Sequence, residues 1–124
     1  MRSMTGSRHH AIDYVELTVT DLAAAKRFYA EAFGWAFADY GPAYAGIRAG
    51  GESAPEVGGL RLDEQPPRQG GPLVLLFSDD LDSTLGAVEA AGGRVTEGPY
   101  PFPGGRRFHF ADPSGNQLGV WAER

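Results

Sequence analysis

The side chains able to do chemistry here are phenols, carboxylates and imidazoles, because the chain has no cysteine. Tyr14 and Glu16 are two residues apart in an alternating run, so an extended backbone puts both on one face. A phenol beside a carboxylate can orient a polar ligand. If desolvation raises its pKa, the carboxylate can instead act as a general base. The competing role for Glu16 is charge pairing with Arg61 or Arg48, and the competing role for Tyr14 is plain aromatic packing. His109 lies between Phe108 and Phe110, where an imidazole can serve a metal or act as a base; a face-alternating polar residue explains it equally well. His9 and His10 are the only tandem imidazoles and need further partners to hold an ion, so an exposed tail is the plainer account. Arg106 and Arg107 follow Gly104-Gly105, where they can meet an anionic ligand or simply solvate a hairpin tip.

These residues are positioned by a duplicated unit. Val15-Glu-Leu-Thr-Val-Thr-Asp-Leu22 and Val74-Leu-Leu-Phe-Ser-Asp-Asp-Leu81 match at Val, Leu, Asp and Leu, and each runs into a helical pattern ending at glycine. A period near half the chain length is too long for a solenoid and suits two copies of one small α+β unit. Val15, Leu17 and Val19 alternate with Tyr14, Glu16 and Thr18, which predicts a half-buried strand from Ile12 to Val19. Thr20 or Asp21 caps a helix whose stripe, Leu22, Ala25, Phe28, Tyr29, Ala32 and Phe33, should cover the Val15/Leu17/Val19 face before Gly34 ends it. Tyr14 and Glu16 are left on the free face.

Short strands are expected near Trp35–Asp39, Ala43–Arg48 and Gly58–Leu62, separated by Gly and Pro. The second copy predicts a strand at Leu73–Phe77, a helix carrying Leu81, Leu85, Val88 and Ala91, and strands at Arg94–Glu97, Arg107–Ala111 and Asn116–Ala122. Asp112-Pro-Ser-Gly-Asn116 is a tight turn between the last two. The order is β-α-β-β-β twice: a first unit over 12–62, a linker over 63–71 rich in Pro and Gly, and a second unit over 72–123, preceded by a polar arm over 1–11 that is disordered or extended.

At 124 residues, 42% hydrophobic and 22% charged, the chain can bury one core and hardly two. A net charge of −5 argues against nucleic acid or an anionic membrane, since a phosphate backbone needs a basic stripe. The absence of cysteine excludes disulfides, iron–sulfur clusters, thiolate zinc and a cysteine nucleophile. No apolar run approaches the roughly 20 residues that span a bilayer, and no signal-peptide segment is visible, so a cytoplasmic location is expected. No glycine pair has nucleotide-loop spacing, and no Gly-x-Ser-x-Gly elbow occurs.

Four pieces in order, Val15-x-Leu-x-Val-x-Asp-Leu22, Phe28-Tyr-x-x-x-Phe-Gly-Trp35, Asp80-Leu with Gly92-Gly93, and Phe108-x-Phe-x-Asp-Pro-Ser-Gly-Asn116, resemble the vicinal oxygen chelate superfamily. That superfamily contains glyoxalase I, extradiol dioxygenases, fosfomycin-resistance enzymes and bleomycin-binding resistance proteins. The resemblance implies an α+β fold of two tandem βαβββ modules forming a curved mixed sheet around a cup, with helices on the convex side and a homodimer. It also implies four ligands for a divalent metal on the cup face. Carried onto this chain, those positions fall on Tyr14, on or next to Gly59, on Leu73 and on Gly119. Glycine and leucine have no donor, and a phenol with a pKa near ~10 is a poor ligand at neutral pH. No metal site and no cofactor are therefore expected.

The resulting expectation is a binder of a small organic molecule, with Tyr14, Glu16, Tyr44, Phe110 and Trp121 lining the cup. Trp121 shares the parity of Gly119 and can stack on a planar ligand or pack against a dimer partner. Tyr44 and Phe110 depend on strand register, in which one slip reverses the face. The alternative is a lyase, isomerase or dioxygenase with a displaced divalent metal or a mechanism centred on Glu16. A third reading is an interaction module whose cavity is filled by side chains.

Overall fold

The computed structural model describes residues 8–124; the first seven residues of the expected arm lie outside that range. Ten elements follow in chain order: β1 (Val15–Val19), α1 (Leu22–Phe33), β2 (Ala36–Asp39), β3 (Tyr44–Arg48), β4 (Gly58–Leu62), β5 (Val74–Phe77), α2 (Leu81–Ala90), β6 (Arg94–Phe102), β7 (Gly105–Ala111) and β8 (Gln117–Ala122). These are the two tandem βαβββ units. Each closes its own mixed four-stranded sheet, β1-β4-β3-β2 and β5-β8-β7-β6, with the first strand parallel to the last.

The local chemistry explains the ends. Asp21 caps α1 by accepting from the Ala24 amide (3.0 Å), and Asp80 repeats the device toward Ser83 (3.1 Å). Gly34 closes α1 in the left-handed region at φ 73°, where a residue with Cβ is disfavoured. β1 begins three residues later than the alternation predicts, and Ile12 is 90% exposed, because nothing pairs with it before Val15 meets Gly58. β6 runs five residues beyond the expected end at Glu97. Register shifts around Glu97 let Tyr100 and Phe102 rejoin β7 opposite Arg107 and Gly105, despite the two prolines.

One core serves both sheets. Val19, Phe28, Tyr29, Leu60, Leu81, Val88, Phe108, Phe110, Leu118 and Val120 are all buried in a single cluster. The α1 stripe does more than cover its own sheet: Phe28 and Phe33 also lie against Phe110 of β7, with ring centroids 6.0 and 5.6 Å away. Tyr29 stacks on Trp35 at 4.5 Å and 8° and donates its hydroxyl to Asp112 in the β7–β8 turn (2.7 Å). The same turn grips the end of β1, with Asn116 Nδ2 donating to the Thr18 carbonyl (2.7 Å) and the Thr20 amide donating to Ser114 Oγ (3.0 Å). These bonds set the two sheets relative to each other. Among the described residues no helix is long and apolar enough to cross a membrane.

Candidate functional site

Strand pairing puts Glu16 beside Gly59 and Gly59 beside Gly46, while Thr18 and Tyr44 both flank Arg61. These residues form the face of the first sheet away from the helices. Because Gly46 and Gly59 carry no Cβ, longer side chains lie down across this face. A Cβ on Gly46 would come within 2.3 Å of the Glu56 carboxyl, and one on Gly59 within 2.0 Å of the Tyr44 hydroxyl.

The result is one continuous polar chain. Tyr40 and Tyr14 donate to the two oxygens of Glu56 at 2.6 and 2.7 Å. The Tyr44 hydroxyl donates to Glu16 Oε2 (2.9 Å) and lies 3.3 Å from the Tyr14 oxygen. Arg61 Nε reaches Glu16 Oε1 (3.3 Å), and its other nitrogens donate to Asp63 (2.9 Å) and Thr18 (3.0 Å). Arg48, the other expected partner of Glu16, donates to the Ala54 carbonyl instead.

The ionisation of the group follows from these bonds. The Tyr40 hydroxyl, then Tyr14, holds the Glu56 carboxyl below the usual carboxylate range. Burial, then the bonds to Tyr44 and Glu56, pushes the Tyr14 phenol far above its ordinary value. Burial also raises Tyr44. At neutral pH this face presents protonated phenols that donate and carboxylates that accept.

Glu16, Thr18, Arg61 and Asp63 also form one wall of a cleft of about 720 Å³, closed opposite by the Gln65–Val74 segment and by Asn116 and Gln117. Of the sequence-predicted residues, Tyr14, Glu16 and Tyr44 therefore meet in one network, and Glu16 opens into the cleft. Trp121 lies on the corresponding face of the second sheet, with Phe77 and Phe102 edge-on to it at 5.1 and 6.1 Å. Phe110 is a correction: it is fully buried on the helix side against Phe28, Phe33 and Phe108. Its register partner is Leu118, one residue out of phase with Gly119, so it cannot share the face of Trp121.

His109 faces the same side as Trp121, opposite Gly119. His9 and His10 stack on each other at 3.7 Å in the exposed N-terminal segment. Arg106 pairs with Asp82 at 3.3 Å. Among the described residues no group of three or more His, Asp or Glu is placed to hold a metal ion. At the positions where the resemblance implies ligands, the space above Gly59 is taken by Tyr44 and that above Gly119 by Leu75, whose Cδ2 is 2.5 Å from where a Cβ would stand. Sequence reasoning missed Glu56 and Tyr40. Both lie in non-periodic loop segments, and no spacing marks them.

Residues 11–120 match the Glyoxalase/Bleomycin resistance protein/Dioxygenase superfamily. The anthracycline biosynthesis protein DnrV of Streptomyces peucetius is 32% identical over 124 residues, covering 87% of this chain and 45% of that protein. The chain spans less than half the length of the first curated relatives it matches, 44% in one case. A glyoxalase/bleomycin resistance protein/dioxygenase family enzyme from Burkholderia phytofirmans PsJN superposes with a TM-score of 0.75 over 91% of this chain and 98% of that one, at 18% identity, and so shares the fold. TnmS3, an antibiotic binding protein from Streptomyces sp. CB03234, superposes with a TM-score of 0.66 at 26% identity, covering 94% and 98%.

Proposed function

The chain belongs to the glyoxalase/bleomycin resistance protein/dioxygenase superfamily, and we propose that it is a metal-independent binder of a planar organic molecule. The observation that carries this reading is the donor set at the implied ligand positions. Tyr14, Gly59, Leu73 and Gly119 do not fit a divalent cation, because two have no side chain, one is an alkyl group, and the phenol is held protonated by burial and its neighbours.

Binding is instead supported by the cleft beside Glu16, whose volume falls within the roughly 300–1,000 Å³ typical of ligand sites. Tyr44, Glu16 and Arg61 supply donors and acceptors that fix orientation, and the Trp121 ring with Phe77 and Phe102 offers a stacking surface. TnmS3 binds an antibiotic and DnrV belongs to anthracycline biosynthesis by their names, which favours a polycyclic aromatic natural product as the ligand class. Because Glu16 is engaged by Tyr44 and Arg61, its carboxylate acts as a ligand contact in this reading and not as a free base.

We also propose a homodimer. Among the described residues β1 and β2 are the edges of one sheet and β5 and β6 the edges of the other, and a second copy would cover such an edge. The test is a tryptophan-fluorescence titration with an anthracycline, with and without EDTA, alongside light scattering for the mass. Saturable quenching unaffected by chelator supports the proposal. About one equivalent of tightly bound ion per chain, with affinity lost on chelation, overturns it in favour of a lyase, isomerase or dioxygenase.

A further inference from the structure

A second polar constellation lies on the free face of the β5-β8-β7-β6 sheet, away from the tyrosine network. Glu97 Oε2 is 3.2 Å from His109 Nδ1. His109 Nε2 is 2.9 Å from the Tyr100 hydroxyl, and the same hydroxyl oxygen accepts from Arg107 Nε. With Glu97 accepting the Nδ1 proton, the Nε2 lone pair is left to accept the Tyr100 proton. The arrangement is a carboxylate that orients an imidazole, an imidazole within hydrogen-bond reach of a hydroxyl nucleophile, and a cation on the nucleophile's oxygen.

Strand register builds it. Glu97 pairs with His109 and Tyr100 with Arg107, so the irregular β6 brings a carboxylate and a phenol beside the two polar side chains that β7 presents on this face. The imidazole is mostly buried, with 19% of its side chain exposed, while Glu97 is 61% exposed. The Arg107 guanidinium is also clamped over the Tyr100 and Phe102 rings at 5.4 and 5.5 Å. On this side β8 contributes Gly119 and Trp121 and β5 contributes Leu75 and Phe77, none of them titratable, so among the described residues Glu97, Tyr100 and Arg107 are the ionisable groups that face His109.

We propose that Glu97, His109 and Tyr100, with Arg107, form a nucleophilic site at which the Tyr100 phenol accepts an acyl group from an aromatic ester lying against Trp121 and Phe77. In the step, Tyr100 Oη bonds to the acyl carbon as the bond between that carbon and the aryloxide oxygen breaks. The phenol proton passes to His109 Nε2 and from there to the departing aryloxide, so atoms and charge balance without a metal or a co-reactant. Glu97 stabilises the transient imidazolium. Tyr100 and His109 are the groups that touch the reacting atoms or move the proton; Glu97 and Arg107 are positioning residues. The site shares the Trp121 and Phe77 surface with the proposed ligand but uses neither Glu16 nor the cleft beside it, and acylation of Tyr100 is read out whether or not that cleft binds a ligand.

The probe is p-nitrophenyl acetate, with release of p-nitrophenolate followed by absorbance and the acetylated residue located by peptide mass spectrometry. Tyr100 should acetylate roughly a hundredfold faster than N-acetyltyrosinamide in the same buffer. The rate should fall as the imidazole becomes protonated. His109→Gln should abolish the excess, and Glu97→Gln, at a largely exposed position, should reduce it while the melting temperature stays unchanged. Acetyl found on other residues but not on Tyr100 would overturn the proposal. So would a rate that His109→Gln and Glu97→Gln leave intact, or one that follows phenol ionisation alone.

Discussion

Tyr29→Phe isolates the bond that ties the two modules together. The ring keeps its stack on Trp35 and its place in the buried cluster, so the change deletes only the hydroxyl that donates to Asp112 Oδ2 at 2.7 Å, both residues being buried. Asp112 retains the amides of Ser114 and Asn116 and the side-chain amide of Asn116. The loss is therefore one hydrogen bond to a charged acceptor, about 2 kcal/mol within the usual range of roughly 1.5–3. For a chain of this size that corresponds to a drop in Tm of roughly 6–10 °C. A pH signature accompanies it. Burial, then the Asp112 charge, raises the Tyr29 phenol well above its ordinary value. A raised folded-state pKa means that the stabilisation is full below the unfolded phenol's value near ~10. Above that pH the unfolded chain loses the proton first, and stability declines by up to about 1.4 kcal/mol per pH unit from this group until the folded phenol ionises. Urea unfolding of the wild type and the variant at neutral pH and at rising alkaline pH measures both effects. An unchanged urea midpoint at constant m, or the same alkaline slope in Tyr29→Phe, refutes the reasoning.

The two adjacent glycines of β4 should separate rigid from yielding neighbours. Gly58→Ala puts a Cβ 2.2 Å from the Val15 carbonyl oxygen, a backbone atom of the β1–β4 ladder, and should cost several kcal/mol or prevent folding. Gly59→Ala meets only the end of the half-exposed Tyr44 side chain, so chemical denaturation should show a loss under about 1 kcal/mol, with the Tyr44–Glu16 bond broken. Glu56 should titrate below the exposed glutamates in carbon NMR, and Tyr40→Phe should move it upward more than Tyr14→Phe does; the network's contribution is present above the ordinary carboxylate range and disappears as pH falls through the depressed value. Trp121→Ala should remove quenching by an anthracycline and weaken its binding, with about 1–3 kcal/mol of stacking lost, while EDTA changes neither.

Much of the fold was legible because it is written in local periods. The matching Val-x-Leu and Asp-Leu pieces state the strand, cap and helix twice over, and the Asp112–Asn116 turn announces itself through Pro, Gly and Asn. The shared face of Tyr14 and Glu16 followed from alternation; that Glu16 meets Arg61 and not Arg48 did not, since both arginines were open as partners until strand register chose between them. Phe110 failed the same logic because its face depends on which residue of β8 it meets, and a shift of one residue reverses every side chain. Tyr100 was hidden by its neighbours: Pro99 and Pro101 read as loop, yet the bulged β6 recovers its register there.

By itself, the order of residues determined two βαβββ units, their caps and turns, the absence of thiol chemistry, and the bare side chains at Gly59 and Gly119. Those features come from propensity, periodicity and residue identity, which need no distant partner. The tertiary structure alone decided that Tyr44 and Leu75 fill the space those glycines leave, that Asp112 locks the modules through Tyr29, and that Glu97, His109, Tyr100 and Arg107 converge. Each depends on strand register or on contact between residues far apart in sequence, where the burial of one core selects a single alignment from many that local preferences allow.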